Sequence, residues 1–199
     1  MTDERYLRFE LDGAPRWGVR RGDRVDELSA EPWSPHVART GRTLDPDELS
    51  LLAPAQPTKI LALGYNYKDL FADPAARTSA REPHYTDTGF EPVLFLKGPN
   101  SLAAPGAAIA LGELAEVWVE VEIAAVLGRR ARDLRDAAAA RDAVFGVTIG
   151  NDITAQNVLG RDWHLARSKS LDGFCPLGPE LARGFDDHDR ALSTAINGR

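Results

Sequence analysis

The sequence has only one cysteine, Cys175, which cannot form a disulfide within the chain and has no catalytic His-Asp order around it, so we interpret it as a packing residue. No hydrophobic run is long enough to cross a bilayer, and no apolar stretch follows the first residues, so we expect neither a membrane span nor a signal peptide. Acidic residues outnumber basic ones, with 30 Asp and Glu against 24 Lys and Arg, which disfavours nucleic acid as a partner. These features predict a soluble protein of the reducing cytoplasm.

The chain of 199 residues is 43% hydrophobic, which is enough for one main domain with a small appendage. Residues 5–30 alternate between apolar and polar and turn at two Gly/Asp pairs. This pattern predicts three antiparallel strands, Leu7–Leu11, Trp17–Arg20 and Val25–Leu28. Two prolines indicate a boundary near residue 55. We therefore predict a small N-terminal antiparallel β domain over residues 1–55 and a larger domain over residues 56–199.

Two short apolar segments follow, Lys59–Leu63 and Val93–Lys97, and each has the length and composition of a buried strand. The first leads to Tyr65 and Asn66, in a loop position where substrate-binding residues commonly lie. Lys97 ends the second strand and is a candidate for holding an anionic substrate, although lysines at such positions more commonly extend to solvent. The polar segment between the two strands is long for a connection and predicts either a mobile lid or plain disorder.

The stretch Val117–Ile123 carries the most chemical information. Its β-branched residues recur at every second position and predict a strand with Val117, Val119, Val121 and Ile123 on one face and Trp118, Glu120 and Glu122 on the other. Side chains two apart on a strand lie roughly 7 Å from each other, so Glu120 and Glu122 can converge on a cation. The pattern is also typical of a solvated strand face. The strand runs into an apolar segment, however, where two acids need a partner, and this favours a divalent metal.

Further elements are predicted around this strand. Residues 47–52 and 133–144 predict helices, and Val147–Asp152 predicts a strand. Ile153–Leu159 predicts the start of a helix for which Asp152 would be the N-cap, a role that we would favour for Asp152 without the two glutamates. Ala191–Ile196 predicts a last strand. It runs into Asn-Gly, a strong hairpin signal, but the return strand is missing. We therefore expect the chain to be truncated or to be one part of a split protein.

Five blocks occur in a characteristic order: Lys59–Tyr67, Val93–Lys97, Glu120–Glu122, Gly150–Ala155, and Lys169–Ser170 together with Phe174–Pro179. In this order they resemble the fumarylacetoacetate hydrolase family, over roughly residues 57–199, and residues 1–55 resemble the small N-terminal domain of many members. The resemblance implies an α+β, mainly β fold, a mixed β-sandwich or roll with few helices. It also implies action on small 2-oxo or β-dicarbonyl acids by C–C hydrolysis, decarboxylation, dehydration or isomerisation.

By position, the resemblance implies that Glu120, Glu122 and Asp152 bind Mg²⁺ or Mn²⁺ and that Lys169 lies beside the substrate. Three carboxylates without His or Cys make a hard oxygen site, which suits these ions and disfavours zinc. Such an ion would stabilise the enolate of a 2-oxo acid that chelates it through carboxylate and keto oxygens. Lys169 could hold the negative charge that develops.

The chain departs from the family pattern at several positions. Family members commonly carry a water-activating histidine and then a glutamate where this chain has Leu70 and Asp73, so the usual hydrolytic base is missing. His84, within residues 68–91, or His164 is a candidate replacement, although a surface role is commoner for such a histidine. Gln156, Asn157 and Leu159 lie in a stretch that usually carries Arg, Asp and a later Gln, so we expect altered substrate contacts there.

Two hypotheses follow for the function. The first is a metal-dependent enzyme that uses enolate chemistry without the usual histidine, for example an isomerase or a lyase. The second is a catalytically weak or inactive paralogue, or a partial domain that needs a partner chain, because the family's C-terminal blocks are absent from this sequence. In either case we expect a homodimer or a complex with a chain that supplies those strands.

Overall fold

The computed structural model describes residues 4–64, 66, 93–114, 116–156, 158, 165–184 and 190–199. Four antiparallel strands come first: β1 (Glu4–Leu11), β2 (Ala14–Arg21), β3 (Arg24–Leu28) and β4 (Arg39–Leu44). Asp12 and Gly13 join β1 to β2 with φ angles of 53° and 72°, as a two-residue hairpin turn of type I′ requires. The predicted N-terminal meander is confirmed.

One sheet joins the N-terminal strands to strands from the second half of the chain. Its other members are β5 (Ser50–Leu52), β8 (Leu102–Ala103), β10 (Val121–Leu127), β11 (Val144–Asn151) and β13 (Cys175–Arg183). The order is β10-β11-β13-β1-β2-β3-β4, with β5 paired to β1 and β8 to β13. Because β1 pairs directly with β13, strands from both predicted domains share a sheet. The domain boundary near residue 55 stays a prediction.

A separate antiparallel pair consists of β6 (Ile60–Gly64) and β7 (Val93–Lys97). Both strands were expected from the sequence, but the expectation that they are buried is wrong for one face. That face carries two cross-strand pairs, Leu61 opposite Leu96 and Leu63 opposite Leu94. These four leucines, which we call the leucine face, are between 40% and 63% exposed. The opposite face buries Phe95 and Lys97.

Helices are short among the described residues, namely α1 (Ala137–Ala143), α2 (Leu165–Lys169) and two 3₁₀ turns, Pro46–Glu48 and Pro99–Ser101. Helix α1 begins later than predicted because the Asp136 side chain caps it by accepting from the Ala139 N–H at 2.8 Å. The helix predicted over residues 47–52 is wrong, since the 3₁₀ turn leads into β5. The strand predicted over residues 191–196 is also wrong. The mainly β fold class with few helices is confirmed.

Several small apolar clusters hold the strands together. Leu181 of β13 packs with Tyr6 and Trp17 of the N-terminal strands. Cys175 is buried beside Leu177, and burial raises the pKa of its thiol to about 11, so it is a neutral packing group, as expected. In the described residues, every helix is too short or too polar to cross a membrane.

Candidate metal centre

The stretch predicted as one strand is divided into two at the candidate site. β9 (Val117–Trp118) pairs with β12 (Thr154–Ala155), whereas β10 begins at Val121 and pairs with β11. Between them, the Glu120 N–H donates to the Asn151 side chain at 3.0 Å and the Glu120 carbonyl accepts from the Asp152 N–H at 2.9 Å. Val119 is therefore 38% exposed, so the single apolar face expected for this stretch is wrong.

This break brings three carboxylates together. One oxygen from each of Glu120, Glu122 and Asp152 lies within 4.8 Å of the others. Asp152 is 5% exposed, and the side chain of Glu120 is 39% exposed. Asp152 follows the end of β11, while the two glutamates flank the start of β10. The described segments thus place the three carboxylates that the sequence singled out at one point.

The backbone after Asp152 is held in place by contacts with Phe174. Ile153 and Ala155 are buried against Phe174, which is fully buried. The Ile153 N–H donates to the Phe174 carbonyl at 3.1 Å. Phe174 follows α2 by a few residues, so this contact holds the end of α2 beside Asp152.

Lys169, the last residue of α2, points its ammonium group into the carboxylates. Its Nζ lies 2.6 Å from Asp152 Oδ2, 3.0 Å from Glu120 Oε1 and 2.6 Å from Thr154 Oγ1. An ammonium group has three N–H donors, and these three acceptors use all of them. The side chain is 8% exposed, and Nζ also lies 5.4 Å from the centre of the Phe95 ring. The desolvated charge of Lys169 is compensated entirely inside the site.

Lys97 supplies a second buried ammonium group. Its Nζ donates to Asp152 Oδ1 at 2.5 Å and to the Ile153 carbonyl at 3.4 Å, and its side chain is 1% exposed. The alternative that Lys97 extends to solvent is therefore wrong. Both oxygens of Asp152 are engaged, one by each lysine.

Thr154 is a residue of the site that sequence reasoning did not single out. Its hydroxyl accepts from Lys169 and donates to Glu120 Oε1 at 2.6 Å. It is 6% exposed. The available signal was its position two residues after Asp152, since alternate residues of an extended segment point to the same side.

The pKa of Glu122 is raised by its position in the cluster. Burial, and then the nearby charges of Asp152 and Glu120, raise its pKa from 4.5 to about 7, against the opposing effect of Lys169 and Lys97. Because burial and the neighbouring carboxylates disfavour the ionised form of Glu122, a cation bound close by would stabilise it. The set of three carboxylate oxygens, with no sulfur or imidazole donor among the described members, suits a hard cation such as Mg²⁺ or Mn²⁺. The residues fit the metal that the sequence suggested.

The other residues singled out in the sequence lie at the margin or outside the description. Asn66 is exposed, shortly after β6. Gln156 is half-buried, and its N–H donates to the Glu116 carbonyl at 2.9 Å. Tyr65, Leu70, Asp73, His84 and His164 lie outside the described residues. The lid predicted over residues 68–91 lies outside them as well.

Two family models match this chain. The C-terminal domain of fumarylacetoacetate (FAA) hydrolase matches residues 59–199. The Rv2993c-like N-terminal model matches residues 4–54. Together they cover both the β6-to-β13 region with the carboxylate cluster and the N-terminal meander.

Individual relatives agree with these matches. The chain is 36% identical over 163 residues to Protein Rv2993c of Mycobacterium tuberculosis, covering 80% of this chain and 57% of that protein. It is 31% identical to the mitochondrial oxaloacetate tautomerase fahd2 of Xenopus laevis, covering 78% and 47%. The crystal structure of 5-carboxymethyl-2-hydroxymuconate delta-isomerase from Mycobacterium smegmatis matches with a TM-score of 0.75 at 30% identity, covering 92% and 68%. The chain spans about half the length of the curated relatives it matches.

Proposed function

The chain belongs to the fumarylacetoacetate hydrolase family, and on that premise we propose that it acts as a metal-dependent enzyme on small 2-oxo or β-dicarbonyl acids. The observation that carries this proposal is the convergence of Glu120, Glu122 and Asp152 within 4.8 Å, beside the ammonium group of Lys169. The proposed cofactor is Mg²⁺ or Mn²⁺. When bound, such an ion supplies Lewis-acid polarisation of the substrate's keto and carboxylate oxygens.

The residues of the chain have separate roles in this proposal. Glu120, Glu122 and Asp152 hold the ion. Lys169 lies beside two of them and stabilises negative charge that develops on the substrate's keto oxygen as it becomes an enolate. Lys97 keeps its contact with Asp152 and contributes a second positive charge next to the carboxylates.

The charge of the site supports an acidic substrate. With all groups ionised, the three carboxylates and two ammonium groups of the described cluster leave one net negative charge. A bound divalent ion converts this into one net positive charge. A small carboxylic acid anion is then attracted, whereas the same site without an ion repels it.

We propose tautomerisation, isomerisation or decarboxylation ahead of C–C hydrolysis. These reactions share an enolate and need no nucleophilic water, whereas hydrolysis depends on a general base worth about 10²–10⁴ in rate. Leucine at position 70 cannot serve as that base. His84 is proposed as the group that moves a proton in its place, with His164 as the alternative. Substrate contacts are proposed for Tyr65, Asn66 and Gln156, and a cytoplasmic location for the whole protein.

The metal site is tested by calorimetry with Mn²⁺ and Mg²⁺ on the native chain and on Glu122→Ala. The matched control is Glu113→Ala, which removes an exposed acid outside the cluster. We expect binding by the native chain and the control, and a loss of at least about tenfold in the Glu122 variant. Equal affinities in all three proteins would refute the site.

The reaction type is tested by following the dicarbonyl absorbance of acylpyruvates and the enol-keto exchange of oxaloacetate in the same preparation. We expect slow acylpyruvate cleavage by the native chain and a selective increase with Leu70→His, ideally combined with Asp73→Glu. Fast cleavage by the native chain that His84→Ala abolishes would show instead that the base lies at His84 and that hydrolysis is intact.

A second candidate function is a partial domain that becomes active only with a partner chain, and the leucine face favours it. A two-stranded ribbon with four exposed leucines on one side is marginal in water without a covering layer. We propose a homodimer or a complex with a chain that supplies further strands. Light scattering on the native chain and on Leu61→Lys should show loss of assembly in the variant; a native monomer with full activity would exclude this candidate.

A further inference from the structure

The ammonium group of Lys169 contacts the same carboxylates that would hold a metal ion. Its ammonium group contacts one oxygen of Glu120 and one of Asp152, at 3.0 Å and 2.6 Å. Those are two of the three candidate metal ligands. The third N–H goes to Thr154, so the ammonium group bridges the two carboxylates with no donor left over.

A divalent ion and this ammonium group are drawn to the same two oxygens. Mg²⁺ requires its oxygen ligands at about 2.0–2.1 Å, and an ammonium group in hydrogen-bond contact with those oxygens repels it strongly because both are cations. We propose that Lys169 is an internal competitor of the metal ion, so that the ion binds in exchange for the contacts of Lys169 with Glu120 and Asp152.

Lys97 does not compete in the same way, although it is equally buried. It contacts Asp152 through Oδ1, the oxygen that Lys169 leaves free, and it makes no contact with Glu120 among the described interactions. Its second acceptor is the Ile153 carbonyl. An ion held by Glu120 and Asp152 would therefore displace two contacts of Lys169 but at most one of Lys97, which keeps the Ile153 carbonyl as an acceptor.

The exchange has a consequence for catalysis, which rests on the proposed function. All three N–H groups of Lys169 are used inside the site. If an ion were held by Glu120 and Asp152, the two N–H groups of Lys169 that now donate to these residues would be free to bind a substrate beside the ion. The ion thus makes Lys169 available to a substrate oxygen, and the lysine becomes a substrate-binding group only in the metal-loaded protein.

The test is calorimetry with Mn²⁺ alone on the chelator-treated full chain at one fixed pH, without substrate. Lys169→Met should bind Mn²⁺ roughly tenfold more tightly than the native chain, because a positive charge a few ångströms from the ion is removed. Lys59→Met, which removes an exposed lysine, should bind like the native chain. Lys97→Met should gain clearly less than Lys169→Met.

The outcomes separate this inference from the proposed function. If Lys169→Met binds Mn²⁺ no more tightly than the native chain, or if Lys97→Met gains as much, the exchange is refuted while the metal site stands. If no variant and no native protein binds Mn²⁺, the proposed function and the exchange are both wrong. Lys169→Gln carries the same expectation as Lys169→Met and keeps a polar group for Thr154, in case the methionine variant does not fold.

A measurement on the unmodified chain gives an independent result. In NMR spectra of the lysine side chains, the Lys169 ammonium signal should shift and exchange faster with water as Mg²⁺ is added, while the Lys97 signal stays in place. An unmoved Lys169 signal at saturating Mg²⁺ would overturn the proposal.

Discussion

Thr154 connects the cationic and the anionic parts of the candidate site through one hydroxyl group. It accepts from Lys169 and donates to Glu120, both at 2.6 Å, in a nearly solvent-free position. Its hydroxyl hydrogen therefore has a fixed direction, and the pair it joins has fixed positions. A residue with no charge thus orients two charged ones.

Replacing Thr154 by valine keeps the shape and removes the hydroxyl. We expect Thr154→Val to lower the free energy of unfolding by about 1–3 kcal/mol, because Lys169 and Glu120 each lose a buried partner. Urea denaturation of the chelator-treated protein measures this. Thr154→Ser retains the hydroxyl and should recover most of the loss; equal losses in both variants would point to the methyl group instead.

Glu122 makes the stability of the metal-free protein depend on pH. Its folded-state pKa is raised to about 7 from an ordinary value of 4.5. Between these values the folded protein keeps a proton that the unfolded chain has released. Stability is therefore fully present below about pH 4.5, falls as the pH rises to about 7, and is level above that.

The contribution of Glu122 to the pH dependence of the free energy of unfolding is isolated by comparing the native protein with Glu122→Gln. We expect the native chain to lose of the order of 2 kcal/mol more than the variant between these pH values. Urea denaturation in the presence of a chelator gives both curves. Parallel curves for the two proteins would show that Glu122 has an ordinary pKa.

At this scale the sequence indicated the three acids but not their counterions. Glu120 and Glu122 are recognisable by their spacing, and Asp152 by its place after a strand. The burial of Lys97 depends on an aspartate 55 positions along the chain. No local pattern carries that information, because a lysine at a strand end is compatible with both solvent and a buried acid.

At the scale of elements, the break between β9 and β10 is what turns two glutamates toward one aspartate. An unbroken strand would hydrogen-bond both the N–H and the carbonyl of Glu120 to backbone groups. Here the carbonyl keeps a backbone donor, the Asp152 N–H at 2.9 Å, but the Glu120 N–H donates to the Asn151 side chain at 3.0 Å. A side-chain acceptor that replaces a backbone one interrupts the regular pairing of the two strands at this point.

Asn151→Ala should therefore weaken the site without touching a ligand. The Glu120 N–H loses its acceptor, which costs about 1–2 kcal/mol of stability, and Glu120 loses its fixed position. We expect weaker Mn²⁺ binding in calorimetry together with the lower stability. Asn151→Ser keeps an uncharged acceptor oxygen and is the control; native affinity in Asn151→Ala would show that the break does not depend on this bond.

Periodicity indicated most of the strands and failed where hydrogen bonding competes. The alternation of Val117–Ile123 continues through the break, so it could not show that the strand divides. Ala191–Ile196 alternates as well, yet no neighbouring strand pairs with it in the described structure. Alternation with a period of two shows which residues would share a face. A segment becomes a strand only when a neighbouring strand hydrogen-bonds to it.

At the scale of the whole molecule, the N-terminal meander shares one sheet with β10 and β11, the strands next to the carboxylate cluster. β13 pairs with β1 on one side and with β11 on the other. β11 ends at Asn151, next to Asp152. The composition change near residue 55 could be seen in the sequence, but the pairing across it could not, because the partners lie more than 170 positions apart (Glu4 with Arg183).

Leu181 tests whether this sheet unfolds as one unit. It is fully buried and packs with Tyr6, Trp17 and Leu28 from the N-terminal strands, although it belongs to β13. Leu181→Ala should lower the free energy of unfolding by about 2–5 kcal/mol. The chain has four tryptophans, of which two lie within residues 1–55, so the test uses a background that keeps only those two. If the sheet is one cooperative unit, their fluorescence and the far-ultraviolet circular dichroism of the whole chain should shift together to lower urea, as a two-state transition requires.

Leu127→Ala is the matched control, because Leu127 lies on β10 and is 55% exposed; it should change the free energy of unfolding little. Two separated transitions in the Leu181 variant, with the tryptophan signal lost first and Mn²⁺ binding retained, would establish residues 1–55 as an independent domain. A single shifted transition accompanied by loss of Mn²⁺ binding would show that the N-terminal strands support the site, because β13 holds both β1 and the strand that leads to Asp152.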